Sequence, residues 1–179
     1  MPHVAVTALG VDRPGIVAAV TGVLVAHGCN LEDTAMTNLG GHFAMMLIVD
    51  VPTPDAAAGL EAALVAEVGS RGLTVAVRPV DEAPAGVPSG GGSWSLTLYG
   101  ADRPGIVHRV TACLAGHGAN IVDLSTRVVG AGPDHAYVLL LELDLPAAAD
   151  AERLRHELDE LASALGVELH LRPDDPDVL

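Results

Sequence analysis

The chain has 179 residues and a formal net charge of −14 at pH 7. That acidity argues against direct nucleic-acid binding, which needs a cationic surface to displace counterions from phosphates, and equally against anionic membrane surfaces. Half of the residues are hydrophobic but only 2% are aromatic, so the core has to be built from Val, Leu, Ile, Ala and Met.

The start, Met1-Pro2-His3-Val4, has neither a basic region nor an apolar signal core. No apolar run approaches the roughly 20 residues that span a bilayer. Cys29 and Cys113 stand in no metal or redox spacing. A reduced, cytoplasmic protein is the expectation.

Val4, Val6 and Ala8 alternate as a strand into Gly10. Ile16, Val17, Val20 and Leu24 then recur at helical spacing, with Pro14 suited to the first turn and His27-Gly28 to the stop. A second strand is expected from Asn30 to Thr37, a Gly40-Gly41 turn, and a third strand from Phe43 to Val51 whose run Ala44 to Val49 is apolar throughout, as in a central strand. Leu60, Leu64 and Val68 carry a second helix, and Leu73 to Val77 a last strand before Pro79.

The same order then returns. Gly10-Val11-Asp12-Arg13-Pro14-Gly15-Ile16-Val17 reappears about ninety residues on as Gly100-Ala101-Asp102-Arg103-Pro104-Gly105-Ile106-Val107, and His27-Gly28, Asn30 and Asp33 return as His117-Gly118, Asn120 and Asp123. Strands are expected at Trp94 to Tyr99, Asn120 to Val129 and Ala136 to Leu145, with a helix from Pro104 to His117. The last helix carries the stripe Leu154, Leu158, Leu161 and Leu165, with Glu152, Arg153, Arg155, Glu157, Asp159 and Glu160 on its polar side. Arg172-Pro173 closes the final strand as Arg78-Pro79 closes that of the first half.

The chain is thus a duplication: a first domain over residues 1–79, a Pro/Gly-rich linker over 80–92, a second domain over 93–173 and an acidic tail over 174–179. Strand-helix-strand-strand-helix-strand makes an α+β unit, a four-stranded antiparallel sheet with both helices on one face, the ferredoxin-like βαββαβ plan. Domains of about 80 residues are marginal alone, so packing of the halves on each other, or dimerisation as a homodimer, is expected.

The Asp-Arg-Pro-Gly-Ile turn joins the first strand to the first helix of each half. Free N–H groups and the positive dipole end there favour a carboxylate or phosphate. Gly15 and Gly105 let a ligand approach the backbone, and Asp12 and Asp102 add a negative charge, which together suit a small zwitterion. Two readings stay open: Asp12 either faces a ligand or caps the helix, and Gly15 either admits a ligand or serves packing. Asn30 and Asn120 open the second strands with a donor and an acceptor each. On the binding reading, a bulky residue at Gly15 or Gly105 abolishes ligand response and leaves the fold intact.

These motifs, Asp-Arg-Pro-Gly-Ile-Val after a short strand, a helix ending at His-Gly, then Asn-Leu or Asn-Ile, resemble the ACT domain, a regulatory βαββαβ module that commonly binds amino acids. The resemblance covers both halves, and the tandem arrangement is similar to the glycine cleavage system transcriptional repressor type. It implies ligand contacts at Asp12, Gly15, Ile16, Asn30 and Leu31, and at Asp102, Gly105, Ile106, Asn120 and Ile121, often across an interface with the second strand of another ACT domain. It implies a regulator acting through a protein partner, with glycine or serine as first candidate ligands; the alternative is a ligand-independent dimerisation scaffold. No P-loop, nucleophile elbow or repeated catalytic cluster is present, so no enzyme, cofactor or metal is expected. His108-Arg109 replaces Ala18-Ala19 beside the proposed site, so the halves are expected to bind unequally, or only one of them to bind.

Overall fold

The opening alternation folds as β1 (His3–Val11), and α1 (Ile16–Ala26), β2 (Asn30–Leu39), β3 (His42–Asp50), α2 (Pro54–Val68), a 3₁₀ turn at Gly69–Arg71 and β4 (Leu73–Val80) follow. The second set is β5 (Ser93–Gly100), α3 (Ile106–Gly116), β6 (Asn120–Val129), β7 (Ala136–Asp144), α4 (Ala151–Leu165) and β8 (Val167–Pro173). The computed structural model describes residues 2–80, 92–130 and 136–174. The linker expected at 80–92 and the tail at 174–179 fall almost wholly outside them. The chain divides into two compact units, Met1–Ala85 and Gly86–Leu179. No described helix is long and apolar enough to cross a membrane.

Each unit holds one antiparallel sheet, ordered β2-β3-β1-β4 in the first and β6-β7-β5-β8 in the second. In a strand, successive side chains point to opposite faces. Val4, Val6 and Ala8 of β1 and Phe43, Met45, Leu47 and Val49 of β3 therefore share one face, which α1 covers with Ile16, Val20 and Leu24 and α2 with Leu60, Leu64 and Val68. The second unit repeats this with Leu96 and Leu98, with Leu139, Leu141, Leu143 and Leu145, and with the stripes of α3 and α4. Both helices pack on one face of each sheet, the ferredoxin-like plan. Every buried residue among those described is hydrophobic, so burial at about 25 cal/mol per Å² is what holds each unit together.

The structure adjusts several details. Pro14 and Pro104 lie ahead of the helices, because Gly15 (φ 90°) and Gly105 (φ 89°) are left-handed and delay helical geometry to Ile16 and Ile106. β3 is an inner strand, yet the helices cover only one of its faces, and Met46 stays half-exposed on the other. In α4, Ala162 joins Leu154, Leu158 and Leu165 in the core, while Leu161 is only partly buried.

Gly10 and Gly100 sit at equivalent points where the chain crosses itself closely. A Cβ on Gly10 would lie 2.7 Å from the Gly72 carbonyl oxygen, and one on Gly100 2.6 Å from Val167 Cγ1. The first contact is with backbone, which cannot rotate aside. Gly10→Ala is therefore expected to destabilise the first unit by about 1–3 kcal/mol, the usual cost of overpacking, read as a lower urea midpoint. An unchanged midpoint would show that the junction is looser than described.

Candidate functional site

The four helices begin in two ways. α2 and α4 are capped by side chains: Thr53 Oγ1 accepts from Ala56 N–H at 3.2 Å, and Asp150 Oδ1 from Arg153 N–H at 3.0 Å. α1 and α3 begin at left-handed glycines with no side-chain cap. Their first N–H groups thus carry the unsatisfied donors and partial positive charge of a helix start. The capping alternative for Asp12 does not hold. Its Oδ2 accepts from Asn38 Nδ2 at 2.6 Å, and its backbone N–H donates to the Gly41 carbonyl at 2.9 Å. Both bonds fasten the β1–α1 loop to the β2–β3 hairpin.

Around this helix start lies an open groove of about 460 Å³, lined by Asp12, Arg13, Gly15, Ile16, Val17, Ala18, Thr21, Met36 and Phe43. Its polar end combines the free amides of α1, the Arg13 guanidinium and the Asp12 carboxylate; its walls are aliphatic, thioether and aromatic. Among the described residues Arg13 makes no hydrogen bond or ion pair. A Cβ on Gly15 would meet nothing within 4 Å, so packing does not demand glycine there; the positive φ does. A bulky residue at Gly15 would thus strain the backbone by about 1–2 kcal/mol, contrary to the expectation that the fold is left untouched.

Of the residues expected from the sequence, Asp12, Gly15 and Ile16 come together in the groove. Asn30 and Leu31 do not join them within the unit. Asn30 pairs with Asp50 and Asp50 with His3, at the opposite end of β1, about 27 Å away for a strand of this length. Asn120 and Ile121 lie likewise opposite Asp144 and Leu143, at the Ser93 end of β5, away from Asp102, Gly105 and Ile106. Met36 and Phe43 line the groove and Asn38 holds Asp12 beside it, and the sequence reading placed none of the three at the site. The second half offered the signal: Val128 stands where Asn38 does, and Thr126 where Met36 does.

The two halves differ around this loop. Arg103 Nη1 donates to the Leu165 carbonyl at 3.0 Å, which draws its charge away from α3. His108 replaces Ala18 on the groove wall.

The histidines at the helix ends act locally. His27 Nδ1 lies 2.9 Å from the Val23 carbonyl. His117 Nε2 lies 3.0 Å from Glu157 Oε2, and Arg153 Nε 2.9 Å from Glu157 Oε1. The Cys113 Sγ falls within 4.8 Å of the His117 and Glu157 ligand atoms. Burial, and then the Glu157 charge, push the Cys113 thiol up, so it is a poor nucleophile at neutral pH. A second trio, His3, Glu32 and Asp50, also converges.

Hydrogen bonds from His117 and then Arg153 hold the Glu157 carboxyl below its usual range. A lowered folded pKa stabilises above the unfolded value and is lost as pH falls through the folded one. His117→Ala is expected to move the Glu157 carboxyl transition to higher pH in an NMR titration; an unmoved transition would show that the His117 bond does not form in solution.

Comparison with known proteins places the fold. A family model described as the ACT domain matches residues 3–78 and 96–172. The glycine cleavage system transcriptional repressor of Escherichia coli is 28% identical over 168 residues, covering 93% of this chain and 87% of that protein. A UPF0237 protein of Methanopyrus kandleri is 44% identical over 59 residues, 33% of this chain and 66% of its own length. The crystal structure of an unknown protein from Galdieria sulphuraria superimposes with a TM-score of 0.84 at 27% identity, covering 97% of this chain and 99% of the other.

Proposed function

Because the chain belongs to the ACT domain family and is related to a glycine cleavage system repressor, we propose that it is a regulatory protein whose first half binds a small amino acid in the groove at the start of α1. One observation carries this reading: α1 has an uncapped N-terminus set between the cationic Arg13 and the anionic Asp12. An α-amino acid presents a carboxylate to the helix amides and Arg13, and its ammonium to Asp12, whose Oδ1 is left over from the bond to Asn38. The apolar wall receives a small side chain or none, which keeps glycine and serine as the first ligands to test. No metal or catalytic residue enters this reading.

The regulatory output runs through a protein partner. A net charge of −14 opposes direct contact with nucleic acid, so an effect on transcription, of the kind named for the Escherichia coli relative, passes through another protein. A ligand shifts such a contact only by its differential affinity for the two states. Asn30, Leu31, Asn120 and Ile121 enter a binding site only where the β2-type strand of another ACT sheet meets the α1-type helix start, which a homodimer supplies.

A second reading has its own support. β2 is an edge of its sheet, and every one of its residues is exposed, Met36 by 57% and Leu39 by 70%. Unpaired edges with apolar side chains recruit another strand, so a ligand-independent scaffold remains the alternative.

Thermal unfolding of the full chain against the twenty amino acids separates the two. A ligand at a hundredfold its Kd adds about 2.7 kcal/mol. One or two small amino acids are expected to raise the melting temperature of the wild type and of His108→Ala, and to fail with Arg13→Glu. A flat panel favours the scaffold, and an undiminished response in Arg13→Glu removes the α1 start from the mechanism.

A further inference from the structure

The corner of the first sheet where β1 begins, β3 ends and β2 bulges gathers three metal-ligating side chains. His3 pairs with Asp50 across the β1–β3 ladder. Their neighbours Val4 and Val49 point into the core, so His3 and Asp50 share the face turned away from the helices. The β2–β3 register shifts between Leu31 and Asp33, which leaves Glu32 as the extra residue of a β-bulge, a device that re-aims a side chain. His3 Nε2 lies 2.7 Å from Asp50 Oδ1 and 3.2 Å from Glu32 Oε2, and the three ligand atoms all fall within 4.8 Å of one another.

Three observations set this cluster apart from an ordinary ion pair. Asp50 Oδ1 is closed to solvent and yet has no hydrogen-bond partner among the described residues. The ring nitrogen 2.7 Å away is therefore out of line for a hydrogen bond, whereas the His117–Glu157 pair is aligned for one. The corner sets two carboxylates and an imidazole around one point, a donor set of the kind that takes a divalent cation. The fold itself does not require the trio. At the equivalent corner of the second unit stand Ser93, Val122 and Asp144, on the same bulge, with Ser93 Oγ donating to Asp144 Oδ1 at 3.3 Å.

We propose that His3, Glu32 and Asp50 form a binding site for a divalent first-row transition cation, with Zn²⁺ as the reference ion. Bonds of about 2.0–2.2 Å in a tetrahedral site set ligand atoms roughly 3.3 Å apart. The Glu32–His3 separation of 3.2 Å already matches this, and Asp50 needs only a small outward rotation. An imidazole favours Zn²⁺ and its neighbours over Mg²⁺ and Ca²⁺, and the lack of a thiolate disfavours Cu⁺. Glu32 is 42% exposed, so a water completes the shell from the solvent side. The Cys113, His117 and Glu157 cluster is the weaker candidate, since both Glu157 oxygens are already engaged.

The test uses the full chain without an affinity tag, stripped with a chelator and titrated with Zn²⁺ against a chromophoric competitor. The wild type is expected to hold one Zn²⁺ at this corner. His3→Ser and Glu32→Val, which install the second unit's own residues, are expected to weaken that binding by more than the roughly 10–100-fold that loss of an outer-shell partner costs. His117→Ala is expected to leave it unchanged. In melts, Zn²⁺ raises the transition of the wild type and not of Glu32→Val, while the metal-free proteins unfold alike. Failure of the wild type to bind, equal binding by His3→Ser and Glu32→Val, or loss of binding in His117→Ala overturns the assignment.

Discussion

The constraint on which the rest depends is the left-handed backbone at Gly15 and Gly105. An L-residue with a Cβ resists this conformation, and a chain that adopts it cannot continue smoothly from strand to helix. The helix start is therefore exposed and uncapped, while the preceding aspartate is free to reach sideways. In the first unit that aspartate is fixed by Asn38 and by the Gly41 carbonyl. A backbone requirement thus becomes an electrostatic one: a site of mixed charge, held in place by a hairpin whose own position is set by the buried face of β3.

Duplication supplied two copies of this device, and substitution has made them unequal. The first unit keeps Asn38, Ala18 and an unengaged Arg13 beside α1; the second carries Val128, His108 and an Arg103 tied to the Leu165 carbonyl. The same inequality holds at the opposite sheet corner, where Ser93 and Val122 stand in the second unit at the positions of His3 and Glu32 in the first. The cores, by contrast, are closely equivalent: Ile16, Val20 and Leu24 match Ile106, Val110 and Leu114. Burial constrains the interior of both copies alike, whereas the loops and corners have been left to specialise.

Much of the fold was legible because its signals are local. The alternation Val4, Val6, Ala8 and the stripe Leu60, Leu64, Val68 each reach the core as their spacing implies. The repeat then checked one half against the other. The helix starts were misjudged because proline in a first turn is a weak preference, and the positive φ of the following glycine overrides it. The site was legible only in part. Asp12, Gly15 and Ile16 are contiguous in sequence and meet in the groove, but Asn38 joins them through a hairpin contact that no local spacing encodes. Asn30 was grouped with them from a family resemblance, and the register puts it at the far end of the sheet. The corner of His3, Glu32 and Asp50 is illegible in the sequence for the same reason: the three are far apart along the chain and are joined by register and by a bulge.

The central claim is that the amides at the start of α1 receive the carboxylate of a small amino acid. Amide NMR of the isotope-labelled full chain, titrated with amino acids in pools, tests it most directly. The account predicts that one pool moves the Gly15, Ile16, Val17 and Ala18 resonances saturably, with much smaller changes at Gly105, Ile106, Val107 and His108. Stationary Gly15 to Ala18 resonances in every pool, or equal shifts at both helix starts, would contradict it.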